Sequence, residues 1–247
     1  METWQLLAIG GSFLAAATVK GVLGIGLPLV AVPLIASITE PIVAVSLMTI
    51  PVLTANGWQA LQGGYFTKIL RRFWPQFTAL IGATLIGAQF LATADQRLLS
   101  LGLGIMVIIF VTLHTFSLRL SVSACHERQI GITIGLIAGL VGGVTGIYGP
   151  VLFIYLVALN MSKNMFVSTI ALFFLAGSIP LYGTLAINGH IGSEQLIASA
   201  ILGAAPVCLG LVLGSRLRNR LPQKLFERFL LVIITVIGMS LIVRNLS

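Results

Sequence analysis

Two stretches decide how this chain folds: Gly-Val-Leu-Gly-Ile-Gly-Leu-Pro at residues 21–28 and Gly-Val-Thr-Gly-Ile-Tyr-Gly-Pro at residues 143–150. They align without a gap at an offset of 122 residues, and the pattern Gly-x-x-Gly-x-x-x-Pro recurs intact. A shared Gly/Pro framework at half the chain length indicates an internal repeat. The sequence therefore predicts two structural halves, residues 1–122 and 123–247, with the polar stretch 117–129 linking them.

The composition around these stretches is typical of a membrane protein. Of the 247 residues, 57% are apolar and 8% are charged, whereas an average soluble domain has roughly 25% charged residues. The mean hydropathy is +1.08. So few charged side chains cannot cover a soluble fold of this size, and disordered chains are poor in apolar residues. We therefore expect an all-α polytopic protein in which the two halves form one integral membrane domain.

Apolar runs between polar breaks predict ten helical segments, at about 4–19, 21–38, 42–60, 73–92, 97–118, 129–142, 144–160, 165–187, 195–214 and 225–243. The first two form one stretch that, as a straight helix, would span roughly 50 Å, against a hydrocarbon core of about 30 Å. The chain must therefore fold back in the Gly-rich stretch after Lys20. The same argument predicts a second hairpin around Gly142-Gly143. Whether these hairpins cross the membrane or re-enter stays open, which gives eight to ten helical segments.

The net charge of +8 comes from 14 Lys and Arg against 6 Asp and Glu. In a soluble protein this charge would suggest a nucleic-acid partner. Cytoplasmic loops of membrane proteins collect Lys and Arg, so no nucleic acid is expected here. If each half is a hairpin plus three transmembrane helices, one side of the membrane receives most basic residues: Lys68, Arg71, Arg72, Arg119, Arg128, Lys163, Arg216, Arg218, Arg220, Lys224 and Arg228, and also Lys20 if the first hairpin extends that far. The other side receives Arg97 and Arg244, with Glu2, Glu40, Asp95 and Glu194.

This distribution of charge places both termini outside the cytoplasm of a cell whose inner or plasma membrane holds the chain. Each half then crosses the membrane an odd number of times, so the two repeats are inverted. Inverted repeats with interrupted helices are typical of secondary transporters.

The glycines of the two stretches favour an anion site. The backbone can turn there and expose N–H groups at the positive end of a helix dipole, and irregular backbone at membrane depth lines a cavity or is buried in protein. The candidate ligand-binding glycines are Gly21, Gly24, Gly26, Gly143, Gly146 and Gly149. Close helix packing is the alternative for them. It is the preferred interpretation for Gly82, Gly87, Gly210 and Gly214.

Lys20 is the most specific single candidate for binding an anionic substrate. If the first hairpin turns near the middle of the membrane, Lys20 is a cation in the bilayer with no carboxylate nearby in sequence. Such a residue is normally functional, and an anionic substrate would be its partner. If the hairpin crosses completely, the ammonium group reaches the cytoplasmic surface instead. The segment lengths leave both possibilities open.

Polar side chains at the starts of apolar helices are further candidates for substrate binding. They are Ser46, Asn56, Gln59, Thr145, Ser168 and Thr169, with Tyr148 as an aromatic lining residue. Hydrogen bonding between helices is the alternative role for each of them. Ser46 and Ser168 stand out because the repeat places them at equivalent positions.

Several kinds of chemistry are missing from the sequence. All six carboxylates fall at predicted loops or helix ends, and His114 is the one candidate for a proton relay. No catalytic carboxylate pair, HExxH motif, phosphate-binding loop, dinucleotide fingerprint or Cys/His metal cluster is present. We therefore expect no enzymatic activity, no cofactor and no metal.

The glycine-rich hairpin that runs into a Pro-containing helix in both halves resembles the TauE/SafE sulfite exporter family. The matching stretches are residues 20–33 and 139–150, and Gly82-Ala83…Gly87 and Gly203-Ala204…Gly210 are similar to a further helix of that family. Lys20 and Leu23 depart from a fuller glycine run, and Tyr148 interrupts the second one. The resemblance implies transport of sulfur-containing anions such as sulfite, sulfonates or sulfoacetate.

Together these observations predict a secondary transporter that moves a small anion by alternating access, with the anion held at the Gly-rich hairpins. Its partners are the small anionic substrate and the lipid bilayer. A passive anion channel and a carrier of another small organic solute are the alternatives. The identity of the anion, import or export, the coupling ion and the oligomeric state stay open.

Overall fold

The computed structural model describes residues 3–23, 26–61, 64–115, 122–123, 125–218, 231–232 and 235–243. The helices assigned there are α1 (Thr3–Leu23), α2 (Leu27–Ala36), α3 (Pro41–Leu47), α4 (Thr49–Leu61), α5 (Phe66–Thr93), α6 (Gln96–Thr115), α7 (Glu127–Thr145), α8 (Gly149–Ala158), α9 (Lys163–Ile187) and α10 (Ser193–Arg218). Residues 235–243 are helical as well, and no strand occurs in these ranges. Outside them lie Gly24, Arg119, Arg220, Lys224, Arg228, Arg244, and much of the predicted segment 225–243.

Within the described residues, five helices are long and apolar enough to cross a membrane, at Trp4–Val22, Phe66–Thr93, Glu127–Thr145, Asn164–Ile187 and Ser193–Gly214. The pair α3 and α4 provides a sixth span if it is one helix bent by 43°. The predicted all-α, multi-pass membrane class is therefore confirmed.

A break between two helices is present in both stretches where the sequence predicts the chain to fold back. The first lies within the Gly-rich stretch, between the end of α1 at Leu23 and the start of α2 at Leu27. The second follows Thr145, slightly later than the predicted position at Gly142-Gly143, because α7 continues through both glycines. Gly26 (φ 108°) and Gly146 (φ 72°) adopt the left-handed conformation that glycine tolerates best. Gly26 precedes the first residue of α2, and Gly146 caps the C-terminus of α7.

The helices after the two breaks correspond at the offset of the sequence repeat. α2 covers Leu27–Ala36 and α8 covers Gly149–Ala158, so both bounds differ by 122 residues, and each helix has proline at its second position. The starts of α3 and α9, at Pro41 and Lys163, differ by the same number. Each short helix has ten residues, about 15 Å of rise, or half of the hydrocarbon core.

The helices gather into two compact units. Unit 1 comprises Met1–Pro51, Ala94–Phe116 and His190–Ser247, and unit 2 comprises Val52–Thr93 and Ser117–Gly189. Each unit therefore combines helices from both halves of the predicted repeat. Unit 1 holds the first hairpin with α10 from the second half, and unit 2 holds the second hairpin with α5 from the first half.

In unit 1, α1 and α10 pack side by side through glycine. A methyl group at Gly210 would lie 2.6 Å from the carbonyl oxygen of Leu14, and one at Gly21 would lie 2.8 Å from that of Leu211. Gly214 meets Gly21 one turn further along both helices, so the two helices run parallel. Small residues allow this close backbone approach in lipid. The packing role predicted for Gly210 and Gly214 is confirmed.

In unit 2, α5 and α7 form a parallel pair of the same kind. The contact residues of α7 are spaced four apart, at Gly131, Gly135, Gly139 and Gly143. A methyl group at Gly143 would lie 2.7 Å from the carbonyl oxygen of Thr84, and one at Gly87 would lie 3.0 Å from the Cα of Gly143. The packing role of Gly87 is confirmed. That of Gly82 was wrong, because nothing lies within 4 Å of a methyl group there.

Candidate functional site

The first hairpin buries Lys20 in the last turn of α1. Its side chain is 3% exposed, so the ammonium group does not extend to the surface of the protein. This burial favours the interpretation in which Lys20 serves an internal site over the one in which it reaches along the helix to the membrane surface. Gly26, which starts the return of the chain, is buried too.

The start of α2 follows directly from this turn. Gly26 is its N-cap, and Leu27 and Pro28 are its first two residues. The N–H of Val30 donates to the carbonyl of Gly26 at 3.1 Å, which closes the first turn. The N–H groups before Val30 have no acceptor within the helix, and Pro28 contributes none. The residues of this turn thus combine a buried cation with the positive end of a ten-residue helix.

The second hairpin is closed by Tyr148, the N-cap of α8. Its ring covers Gly142 and Gly177 so closely that a methyl group at either position would overlap it. Its hydroxyl donates to the carbonyl of Gly177 at 3.0 Å. The turn before it is fixed by Thr145, whose hydroxyl accepts from the N–H of Ile147 at 3.2 Å.

The two hairpins exchange their large and small residues. At the offset of 122, Lys20 corresponds to Gly142, and Gly26 corresponds to Tyr148. The second hairpin therefore has its large side chain on the returning arm, where the ring fills the turn. The first hairpin has its large side chain on the outgoing arm, and that side chain is a cation.

The predicted polar candidates are mostly buried. Thr169 donates to the carbonyl of Met165 at 2.6 Å, Asn56 to Val52 at 2.9 Å and Thr145 to Val141 at 2.7 Å, each within its own helix. These three bonds stay within one helix, whereas the alternative role considered from the sequence was hydrogen bonding between helices. Ser168 is buried, and Gln59 is half-buried.

Ser46 differs from the other polar candidates. It is 1% exposed, and its hydroxyl has no hydrogen-bond partner among the described residues. A buried hydroxyl without a partner is costly. It is therefore a group to which a bound ligand or a water molecule would add a hydrogen bond.

The candidates divide between the two units. Unit 1 holds Lys20, Gly21, Gly26 and Ser46, whereas unit 2 holds Asn56, Gln59, Gly143, Thr145, Gly146, Tyr148, Gly149, Ser168 and Thr169. Gly21 and Gly143 face a neighbouring helix at tight crossings, so the structure gives them packing contacts. Gly26 and Gly146 make the turns themselves.

Sequence reasoning missed residues that support the broken span formed by α3 and α4. Ser199 of α10 hydrogen-bonds the backbone at the break. Gly203, also on α10, leaves room for the Pro51 ring. A methyl group on residue 203 would lie 2.4 Å from that ring, so only glycine fits there. The spacing of two small residues four apart on an apolar helix was the available signal.

A second polar region of unit 1 lies at the beginning of α1. A cavity of about 620 Å³ is lined by Trp4, Glu40, Gln96 and Arg97, among others. The amide of Gln96 donates to the carboxylate of Glu40 at 3.2 Å. The charge count assigned Glu40 and Arg97 to the same, non-cytoplasmic side of the membrane.

Comparison with known proteins adds one match. No curated protein and no solved structure matches the chain significantly. The family described as sulfite exporter TauE/SafE matches residues 8–241, which covers both hairpins and nearly the whole chain. The resemblance read from the Gly/Pro framework is confirmed: this multi-pass membrane protein belongs to the TauE/SafE sulfite exporter family.

Proposed function

We propose that the chain is a secondary transporter for a small sulfur-containing anion, such as sulfite, a sulfonate or sulfoacetate, and that the first hairpin holds the anion. The observation that carries this proposal is the burial of Lys20 at the turn of that hairpin. An ionisable side chain inside a membrane protein is normally functional, and a bound anion would stabilise the charge of Lys20. The family match supports a sulfur-containing anion as the transported species.

The beginning of α2 would complete the anion pocket. Its N-terminal N–H groups carry the positive end of the helix dipole, which favours a bound anion. The ammonium group of Lys20 would supply a full positive charge, and the backbone N–H groups would orient the bound anion by hydrogen bonds. Ser46, whose hydroxyl has no partner in the described part of the chain, is a further donor within the same unit.

The exchange of residues between the hairpins makes their roles different. Since the Tyr148 ring fills the turn of the second hairpin, we expect that hairpin to shape the path rather than to bind the anion by charge. Thr145, Gly146, Gly149, Ser168 and Thr169 then act as lining or supporting residues. This division makes one charged anion site per chain the expected stoichiometry.

Transport would proceed by alternating access between two inverted halves, each with its terminus outside the cytoplasm. Interrupted helices are the elements that secondary transporters use at the substrate site. In this chain the span α3–α4 is interrupted at Met48, close to Pro51, where the chain passes from unit 1 to unit 2. We assign the bending point of the cycle to this break.

Counterflow in proteoliposomes tests the proposal. Labelled sulfite and labelled sulfoacetate are exchanged against internal unlabelled anion, with sulfate and taurine as competitors. We expect accelerated exchange of one anion by the wild type and at least a tenfold loss in Lys20→Met, since a cation within about 4 Å of an anion at low dielectric contributes more than 1.4 kcal/mol. Lys20→Arg should retain part of the exchange.

The matched control is Lys68→Met, because Lys68 is an exposed lysine at the start of α5. Its exchange rate should equal that of the wild type. Wild-type exchange by Lys20→Met would remove Lys20 from the site. Anion conductance without counterflow would indicate a channel, and no exchange of any sulfur anion by folded protein would indicate another solute.

A further inference from the structure

The N-terminal ends of α5 and α7 enclose a second, strongly basic site, away from the hairpin turn of unit 2. A cavity of about 280 Å³ is lined by Arg71, Arg72, Arg128, Glu127, Trp74 and the buried amide of Gln76. We call it the basic cavity. The charge count places its three arginines on the cytoplasmic side of the membrane.

Three guanidinium groups face one carboxylate in the basic cavity. Arg72 takes that carboxylate completely, with Nε 2.6 Å and Nη2 2.8 Å from the two oxygens of Glu127. Arg128 lies over the Trp74 ring at 5.6 Å, and an aromatic ring attracts a cation without neutralising its charge. Arg71 is exposed at the rim. The cavity therefore carries an excess of two positive charges.

An apolar stripe leads from the basic cavity along the outer face of α5. Its members are Leu70, Trp74, Ile81 and Leu85, which are all exposed. Their spacing of four, seven and four residues keeps them on one side of the helix. Trp74, at 56% exposure, stands where the stripe meets the arginines, in the position of an aromatic residue at the membrane interface.

We propose that the basic cavity binds the phosphate of an anionic phospholipid, whose acyl chains lie along the apolar stripe of α5. Guanidinium groups match phosphate oxygens in pairs, and basic pockets between transmembrane helices on the cytoplasmic side suit anionic headgroups. The stripe distinguishes a lipid from free phosphate, because an inorganic ion gains nothing from apolar side chains. The lipid would brace the α5–α7 pair at the end opposite to the hairpin turn.

Lipid titration followed by native mass spectrometry tests this site. Delipidated protein in detergent receives phosphatidylglycerol or, separately, phosphatidylcholine. We expect tight retention of one phosphatidylglycerol and weak retention of phosphatidylcholine. In R71Q/R128Q the affinity for phosphatidylglycerol should fall about 25-fold, at about fivefold for each cation removed. The variant keeps Arg72 and Glu127, so their ion pair is preserved.

Two matched variants and one competitor separate the possible outcomes. R97Q removes an arginine of unit 1 and should retain the lipid like the wild type, whereas R71K/R128K should lose less affinity than R71Q/R128Q. Millimolar inorganic phosphate should not displace the lipid. The lipid site would be overturned if the protein retained the two lipids equally, or if folded, monodisperse R71Q/R128Q retained phosphatidylglycerol as well as the wild type does. Displacement of the lipid by inorganic phosphate would also overturn it, in favour of a free anion.

Discussion

The hydroxyl of Ser199 donates a hydrogen bond of 2.8 Å to the carbonyl oxygen of Leu47, which lies 152 residues earlier in the chain. The same hydroxyl accepts from the N–H of Ile50 at 3.0 Å. Pro51 has no N–H and so cannot bond the Leu47 carbonyl four residues before it. Ser199 therefore supplies, from α10, a hydrogen bond that the broken span cannot make for itself.

Replacing Ser199 with alanine should destabilise the protein by about 1 kcal/mol for each hydrogen bond lost, the range found for polar contacts between membrane helices. A thermal melt followed by circular dichroism in detergent measures the effect. The control is Thr133→Ala, because the Thr133 hydroxyl bonds the carbonyl of Gln129 in its own helix and is exposed. Equal melting of Ser199→Ala and wild type would show that water replaces the hydroxyl at the break.

Gly139→Ala should disrupt the α5–α7 pair. The added methyl group would lie 2.7 Å from the Cβ of Ala83 and 3.1 Å from the N–H nitrogen of Thr84, and closer still to the carbonyl of Leu80. Backbone atoms cannot move aside as a flexible side chain can, so the helices must separate and lose their packing. We expect a clear fall in the yield of folded protein on size-exclusion chromatography.

The counterpart is Gly82→Ala on α5, where a methyl group meets nothing within 4 Å. Alanine is favoured over glycine inside a helix by about 1 kcal/mol, so this variant should melt at or above the temperature of the wild type. If both alanine variants behaved alike, the glycine spacing of α7 would not be responsible for the close packing.

Gly142 and Tyr148 should be coupled. Gly142→Ala alone forces the Tyr148 ring out of its position, because the methyl group would lie 2.6 Å from Cγ and nearer to other ring atoms. Tyr148→Ala alone leaves a cavity in the turn, at about 3 to 5 kcal/mol for a large aromatic residue. In the double variant the new methyl group occupies part of that cavity. We expect it to be less destabilised than the sum of the single variants, measured as a double-mutant cycle in urea. If the losses of unfolding free energy in the two single variants were additive, the Tyr148 ring would not contact Gly142.

Cys125 reports the membrane orientation. It is exposed and lies two residues before α7, beside Glu127 and Arg128, on the side that the charge count assigns to the cytoplasm. In a Cys208→Ser background, a membrane-impermeant maleimide should label Cys125 only after intact cells are opened. A cysteine at Asp95, also exposed, should react before opening when Cys125 is replaced by serine. The reverse pattern would invert the topology and place both termini in the cytoplasm.

The sequence was sufficient for the class of fold and for the existence of two helix breaks, because each follows from composition or from local Gly/Pro chemistry, whereas it left the burial of Lys20 open. The position of the second break could not be predicted from the sequence, because α7 continues through Gly142 and Gly143. Glycine weakens a helix on its own, but Gly143 is stabilised in the helix by its contact with α5. Such a contact depends on a residue more than fifty positions away.

The support of the candidate site was harder to predict for the same reason. Ser199 bonds the backbone of Leu47 and Ile50, and Gly203 contacts Pro51. The sequence around Ser199 and Gly203 does not indicate which residues they contact. The exchange of Lys20 with Gly142 and of Gly26 with Tyr148 was present in the alignment of the repeat. The alignment did not show that the Tyr148 ring packs against Gly142, which is the contact that explains the exchange.

The pairing of α1 with α10 has a consequence for synthesis. α1 ends at Leu23 and α10 begins at Ser193, so about 170 residues leave the ribosome between them, which takes roughly ten to thirty seconds in a cell. During that interval the small-residue face of α1 has no partner from its own chain. α5 and α7, only about 35 residues apart, can associate much earlier. We therefore expect α5–α7 to assemble first on the translocon and α1 to wait, exposed to competing helices or to the insertase, until α10 emerges.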